Sequence, residues 1–195
     1  MSFPATWYSQ TSLPRTARPG LGSAEACDVC IIGAGIAGLT AALELTQRGK
    51  RVMLLETHQV GWGASGRNGG VVSPGWAEGS AAIRKKVGLE QAKALFQMSV
   101  EGVEIVRHNM TSLALTGCDP SAGTIRVKRY DDSAGVKAHI ENMRRDFGYE
   151  LNFLDVAQVR ERAHTRRYFQ GIEDPNALHF HPLNYCLGLA SVIEA

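Results

Sequence analysis

The sequence predicts an α/β fold, and three observations carry the prediction. Asp28 to Glu56, DVCIIGAGIAGLTAALELTQRGKRVMLLE, reads as a strand, a glycine turn, a helix and a second strand ending in an acid, the order of one Rossmann-like dinucleotide-binding βαβ unit. Gly61 to Val72, GWGASGRNGGVV, places five glycines in one short loop soon after it. Gly117 to Phe180 then mixes strand-like and helix-like runs, as an α+β segment inserted into a nucleotide-binding fold would.

Residues 1–24 are expected to form an N-terminal arm. Met1 to Gly22 carries three prolines and no sustained period, and reads as an extended segment lying on a partner surface, anchored by burial of Trp7 and Tyr8. Residues 25–80 hold the βαβ core and the second glycine loop. Asp28 to Ile32 is a short apolar run with β-branched residues, expected to be a parallel strand buried on both faces. Gly33, Gly35 and Gly38 follow at the G-x-G-x-x-G spacing. The first permits the tight turn, the second lets backbone approach a pyrophosphate, and the third lets the helix lie close to the strand.

The helix from about Ile36 to Arg48 points its free N–H groups and positive dipole end at that turn, where a diphosphate would sit. Ile36, Leu39 and Leu43 recur on its sheet-facing side, and Gly49 stops it. Val52 to Leu55 is the second strand. Glu56 stands at its carboxyl end, roughly 20 residues beyond the glycines, where an acid accepts from a ribose hydroxyl and repels a 2′-phosphate, so NADP is disfavoured. The fingerprint by itself does not separate FAD from NAD, and an ordinary βαβ crossover shares part of it.

The second loop holds more glycine than a turn between strands requires, which suggests main chain packed against a flat or charged ligand. Ser65 and Arg67 offer a hydroxyl and a guanidinium to phosphate oxygens, and Asn68 can hydrogen-bond through side chain or backbone. A mobile surface loop is the competing reading.

Residues 81–116 form a helical segment. From Ser80 to Leu113, one or two helices are expected, with Leu89, Ala92, Phe96, Ser99, Val103, Val106 and Met110 as a core stripe. Residues 117–180 form a partial α+β domain on the substrate side. Its elements are a turn at Gly117 to Gly123, a strand at Thr124 to Lys128, a helix from about Ser133 to Phe147 and a strand at Tyr149 to Leu154. Asp155 then caps a short helix through Arg162, and two further short strands are expected at Tyr168 to Ile172 and Leu178 to Phe180. Residues 181–195 are a helix returning toward the nucleotide unit, with Pro182 in its first turn. No strand follows that helix, so the sequence reads as an N-terminal fragment or truncated product.

Composition excludes several classes. With 44% hydrophobic and 21% charged residues over 195 positions, the chain can bury a core. A net charge of +2 gives no electrostatic footprint for nucleic acid or an anionic membrane, and Arg84, Lys85 and Lys86 read as a solvated helix face. No segment approaches the roughly 18 uninterrupted apolar residues of a membrane span, and the start of the chain has no signal-peptide core, so a cytoplasmic location is expected. Cys27, Cys30, Cys118 and Cys186 make no disulfide framework. On a strand, Cys27 and Cys30 would face opposite ways, which argues against a metal or redox pair. His179 and His181, two apart on the last strand, would share a face, but no third ligand stands near them and a structural role is favoured; no metal is expected.

Taken together, GAGIAG (Gly33 to Gly38), GWGASGRNGG (Gly61 to Gly70) and HFHPLNYCLGLA (His179 to Ala190) resemble the FAD-dependent glycine and D-amino acid oxidase (DAO) family, most closely its gamma-glutamylputrescine oxidase branch. The leader with Trp7 and Tyr8 is similar to that branch as well. The resemblance implies FAD rather than NAD. It implies that Gly33, Gly35, Ile36, Ala37 and Gly38 hold the diphosphate and Glu56 the adenosine ribose. It also implies that Gly63, Ala64, Ser65, Arg67, Asn68, Gly69, Gly70 and Val71 run beneath the ribityl chain toward the isoalloxazine ring. Relatives of the family run about twice as long, and the missing half would supply more FAD contacts and the wall of the substrate pocket.

The function so implied is FAD-dependent oxidation of a small-molecule amine or amino acid, by hydride transfer to flavin N5. No acid or base of this chain can be assigned to the catalytic step. The alternatives are a non-catalytic flavin-binding or inactive partner protein, and a fragment of an NAD-linked dehydrogenase.

Overall fold

A computed structural model describes residues 3–194. In chain order the elements are α1 (Trp7–Thr11), β1 (Val29–Ile32), α2 (Ile36–Gln47), β2 (Val52–Leu55), a 3-10 turn (Ala64–Gly66), β3 (Val71–Val72), α3 (Ser80–Val87), α4 (Leu89–Ser112), β4 (Ser121–Val127), α5 (Ser133–Phe147), β5 (Asn152–Leu154), α6 (Val156–Ala163), β6 (Gly171–His179) and α7 (Pro182–Glu194). The predicted end of the last helix at Ala195 lies outside the described residues. The chain folds as two units. One gathers the chain up to Gly70, His108–Asp119 and the stretch from Phe180 onward; the other gathers Val71–Arg107 and Pro120–His179.

The first unit contains the βαβ motif. β1 and β2 pair in parallel from Val29 opposite Val52 to Ile32 opposite Leu55, and the ladder runs on into the turn as Gly33 N–H donates to the Leu55 carbonyl (2.7 Å). α2 buries Leu39, Ala42 and Leu43, with Ile36 half-buried, and packs against α7. Gly49 ends it with φ +73°. The expectation that β1 is buried on both faces is corrected. Cys30 is exposed and Ile32 is 86% exposed, because this parallel sheet has two strands and α2 lies over one side.

α7 is the most buried element: Pro182 to Leu187, Leu189 and Ala190 are all buried. Its Asn184 accepts from Leu13 N–H (2.9 Å) and donates to the Gly117 carbonyl (2.7 Å), while Tyr185 accepts from the Asn109 amide (3.1 Å). These contacts also revise the leader. Instead of a wholly extended arm it contains α1, capped by Thr6 through Ser9 N–H (3.1 Å), and Trp7 is 73% exposed rather than anchored. Tyr8 is half-buried, edge-on to His181 at 4.8 Å.

In the second unit, β6 is central to an antiparallel sheet. β4 pairs along one side, and β5 and β3 pair with its two ends on the other. Two predicted strands, Tyr168 to Ile172 and Leu178 to Phe180, are thus corrected to one continuous strand that runs through Pro175. The Asp174 carboxylate makes this possible: Oδ1 accepts from the Asn176 and Ala177 amides (3.1 and 3.2 Å) and from the Tyr149 hydroxyl (2.8 Å). The partner strand absorbs the irregularity with a register shift at Gly123, φ +81°.

β4 begins at Ser121, earlier than predicted, and β5 is shorter than predicted. Tyr149 and Leu151 instead join Phe96 and Met143 in a core cluster. The helical stretch after Ser80 breaks at Gly88 (φ +82°) into α3 and α4. In α4, Ala92, Phe96, Val103 and Met110 are buried as the stripe predicts. Asp155 caps α6 as expected, in a capping box with Gln158 (both bonds 2.9 Å).

Candidate functional site

The site is built within the first unit, where the two glycine loops meet. Gly33 has φ +105°, a value L side chains rarely adopt, so the strand can leave β1 and turn into α2 only through glycine. Gly38 answers a different demand. A Cβ there would lie 2.0 Å from the Gly33 carbonyl oxygen and 3.3 Å from the Ile31 side chain, so the helix approaches the strand more closely than any side chain allows. At Gly35 a Cβ would lie 2.8 Å from the Ser65 hydroxyl. Here the neighbour that excludes a side chain is the second loop.

Two hydrogen bonds join the loops. Gly61 N–H donates to the Ala34 carbonyl (2.9 Å), and Ile36 N–H, at the first residue of α2, donates to Ser65 Oγ (3.0 Å). Ala37 and Gly38 follow in the first turn, where amides have no intrahelical acceptor. Glu56 reaches back from the end of β2. Its Oε2 accepts from Ala34 N–H and its Oε1 from His58 N–H, both at 2.8 Å. Each oxygen retains a lone pair, so the carboxylate that fixes the turn can also accept from a hydroxyl.

The second loop divides into two kinds of glycine. A Cβ on Gly61 would lie 3.0 Å from Leu183, and one on Gly66 would lie 2.3 Å from the Gly61 carbonyl oxygen and 2.9 Å from Leu183, so these two serve packing on α7. Gly63 and Gly69 have no heavy atom within 4 Å of the Cβ position, and neither does Gly33. Bare main chain is therefore presented outward at three places, as a ligand that must lie against backbone requires.

Polar side chains of the loop are largely engaged with the loop itself. Asn68 donates to the Ala64 and Ser65 carbonyls (3.3 and 2.9 Å) and accepts from Gly70 N–H (2.7 Å). Arg67 donates to the Gly63 carbonyl (3.1 Å) and lies over the Trp62 ring at 4.9 Å, its remaining N–H groups exposed. Gly70 (φ +69°) accepts from Phe180 N–H at 2.9 Å. Val71, the last residue of the predicted set, lies in β3 of the second unit, 58% exposed and opposite His179.

His58 and Trp62 were not singled out by the sequence. Their rings stack at 4.1 Å and 15°, and the His58 Nδ1 lies 3.8 Å from Glu56 Oε1. The Trp62 indole N–H is buried without an acceptor among the described residues, a state that costs roughly 1–3 kcal/mol and favours an incoming acceptor. The signal was present: an aromatic inside a glycine run has no core of its own to fill.

His179 and His181 fall in different units. His181 is not on the strand beside His179; it lies past the end of β6 and caps α7. Its carbonyl accepts from Tyr185 N–H and its Nδ1 from Asn184 N–H, both at 3.1 Å. Nδ1 is thus the acceptor, so the neutral ring carries its proton on Nε2, which faces Thr11 Oγ1 at 3.1 Å. Burial lowers the His181 pKa below the ordinary histidine value. Burial likewise pushes Cys118 up to about 11 and Cys186 up to about 12, so both thiols stay protonated and non-nucleophilic at neutral pH. Cys27 lies before β1 rather than on it, and all four cysteines are unpaired. Among the described residues no helix is long and apolar enough to cross a membrane.

Comparison with known proteins adds to this geometry. The family model of FAD dependent oxidoreductases (DAO) matches residues 28–195. The chain is 38% identical over 177 residues to the probable oxidoreductase OrdL of Haemophilus influenzae, covering 88% of this chain and 40% of that protein. It is 35% identical over 169 residues to the gamma-glutamylputrescine oxidoreductase of Escherichia coli, covering 86% and 39%. Among solved structures, glycine oxidase from Bacillus cereus superposes with a TM-score of 0.59 at 22% identity, over 87% of this chain and 44% of that one, a likeness of fold. The chain spans about two-fifths of the length of the curated relatives it matches.

Proposed function

The chain belongs to the DAO family of FAD dependent oxidoreductases, and from that premise we propose that its two glycine loops hold FAD for oxidation of an amine or amino acid at a carbon–nitrogen bond. The observation that carries the reading is the junction of the loops, through Gly61 N–H to Ala34 and Ile36 N–H to Ser65, beside outward-facing main chain at Gly33, Gly63 and Gly69. Gly33, Gly35, Ile36, Ala37 and Gly38 would hold the diphosphate at the positive end of α2. Glu56 would accept from the ribose. Gly63, Ala64, Ser65, Arg67, Asn68, Gly69, Gly70 and Val71 would line the path toward the ring.

These residues fit a dinucleotide in their chemistry. Ser65 Oγ accepts from Ile36 and keeps its own proton to donate to a phosphate oxygen, while Arg67 retains guanidinium donors beyond the one that fixes the loop. The indole N–H of Trp62 adds a donor in search of an acceptor. The chemistry FAD supplies when bound is acceptance of a hydride at N5 from the carbon of a C–N bond, leaving an imine that water hydrolyses to a carbonyl and an amine. The part of this chain is to bind and orient through main-chain amides. No acid or base among the described residues is assigned to moving a substrate proton.

The likeness to gamma-glutamylputrescine oxidoreductase directs the substrate proposal to an amine of that kind. The four unpaired cysteines suit a reducing, cytoplasmic setting. The test is direct: purified chain should be yellow, release FAD into the supernatant on heating, and bleach when gamma-glutamylputrescine is added. A yellow protein that does not bleach would favour flavin binding without catalysis. A colourless protein that takes up no FAD would remove the cofactor assignment.

A further inference from the structure

The second unit carries a separate cationic cavity. Between β4 and the first turns of α5, Arg126, Val127, Lys128, Gly135, Val136, His139 and Ile172 line a recess of about 280 Å³. Arg126 is on β4 opposite Ile172 of β6, and Lys128, the residue just past the end of β4, exchanges backbone hydrogen bonds with Gln170 (2.8 Å) and Phe169 (2.9 Å). Lys128 is already partnered, by Asp132 at 2.9 Å and by the Tyr130 ring at 5.3 Å. Arg126 is different. Among the described residues no acidic side chain pairs with it and no hydrogen bond to its guanidinium is made, so five N–H donors stand at the rim of an apolar-floored recess.

We propose that this recess binds a small oxyanion, a carboxylate or phosphate group, on the Arg126 guanidinium with the His139 imidazole beside it. The shape and chemistry agree: Val136 and Ile172 give the recess an apolar lining for the body of a small molecule, and the planar guanidinium presents two parallel donors to a planar or tetrahedral oxyanion. β4 contributes Arg126, the turn between β4 and α5 contributes Lys128 and Asp132, which pair with each other, and α5 contributes His139 and Lys137, the latter lying over Phe153. From β6, Asp174 is buried and engaged by Tyr149 and two backbone amides, and Glu173 pairs with Arg162. The net field at the recess is therefore positive. Partial burial, together with the charges of Arg126 and Lys128, lowers the His139 pKa below the ordinary histidine value. This inference is independent of the flavin reading, since it uses no residue of the glycine loops.

The experiment follows the His139 ring resonances of the full chain by NMR across pH, in sodium chloride, sodium acetate and inorganic phosphate at matched ionic strength. Bound oxyanion should shift the resonances saturably and raise the His139 pKa. Arg126→Gln should weaken binding about tenfold or more, and Arg126→Lys should weaken it less. Response to phosphate but not acetate assigns a phosphate group, response to acetate alone a carboxylate, and response to both the shared oxyanion chemistry. A response equal to that in chloride, or one unchanged in Arg126→Gln with the amide spectrum otherwise native, overturns the proposal.

Discussion

The two glycine loops of the first unit look alike in sequence and differ in what requires their glycines. In the turn from Gly33 to Gly38 each glycine answers to the protein: a left-handed φ at Gly33, a carbonyl 2.0 Å from a would-be Cβ at Gly38, the Ser65 hydroxyl at Gly35. In the loop from Gly61 to Gly70 the set divides. Gly61 and Gly66 are packed on α7, while Gly63 and Gly69 face nothing. Glycine count is therefore a poor sign of a ligand. A glycine with no heavy atom near its Cβ position is a better one.

The contrast can be broken by substitution, and the largest effect belongs to the first turn. Gly38→Val should cost roughly 3 kcal/mol or more in urea unfolding, because backbone cannot yield 2.0 Å without separating α2 from β1. Gly66→Ala should follow at about 2–3 kcal/mol, since its Cβ meets a carbonyl oxygen at 2.3 Å but also a Leu183 methyl that can turn aside. Ser65→Ala removes the acceptor for Ile36 N–H and should cost about 1 kcal/mol by the same measurement. A neutral Ser65→Ala would mean that the loops are not held together at this point.

A pH series probes α7, the helix on which Gly61 and Gly66 rest. Burial lowers the His181 pKa in the folded chain. The unfolded chain therefore protonates first as pH falls, so the His181 contribution is complete above about pH 6.5 and is lost as pH drops through that value and on through the lower folded pKa. His181→Asn keeps an acceptor for Asn184 N–H but cannot titrate. Denaturation midpoints of this variant should match the wild type near pH 7.5 and fall less steeply below pH 6.5, with a residual slope from His139. Identical slopes would show that the ring is not the titrating group.

Much of this arrangement was legible from local pattern. The strand, turn, helix and strand from Asp28 to Leu55, the stripe on α4, the cap at Asp155 and Pro182 at the start of α7 are all set by neighbours within a few residues, where periodicity and capping chemistry act. What failed depended on distant partners. Pro175 reads as a strand breaker, yet β6 continues through it because Asp174 satisfies two amides and Gly123 shifts the register across the sheet. Ile32 reads as core, yet whether its outer face is covered depends on strands and helices elsewhere in the fold. His181 reads as a strand residue, and only its neighbours Asn184 and Thr11 reveal a helix cap. Within the candidate site, the glycines were readable by spacing, whereas the Glu56 bonds to Ala34 and His58 and the Trp62 stack arise from a turn geometry that spacing does not specify.

The most direct test of the shared cradle sets stability against flavin affinity at one open glycine. Gly69→Val adds a side chain where no heavy atom lies within 4 Å, so unfolding should move by no more than about 0.5 kcal/mol. Titration of FAD by fluorescence quenching should be saturable for the wild type and at least roughly tenfold weaker for Gly69→Val, about 1.4 kcal/mol. Equal affinity in the two proteins, or a folded wild type that does not take up FAD, would contradict the account.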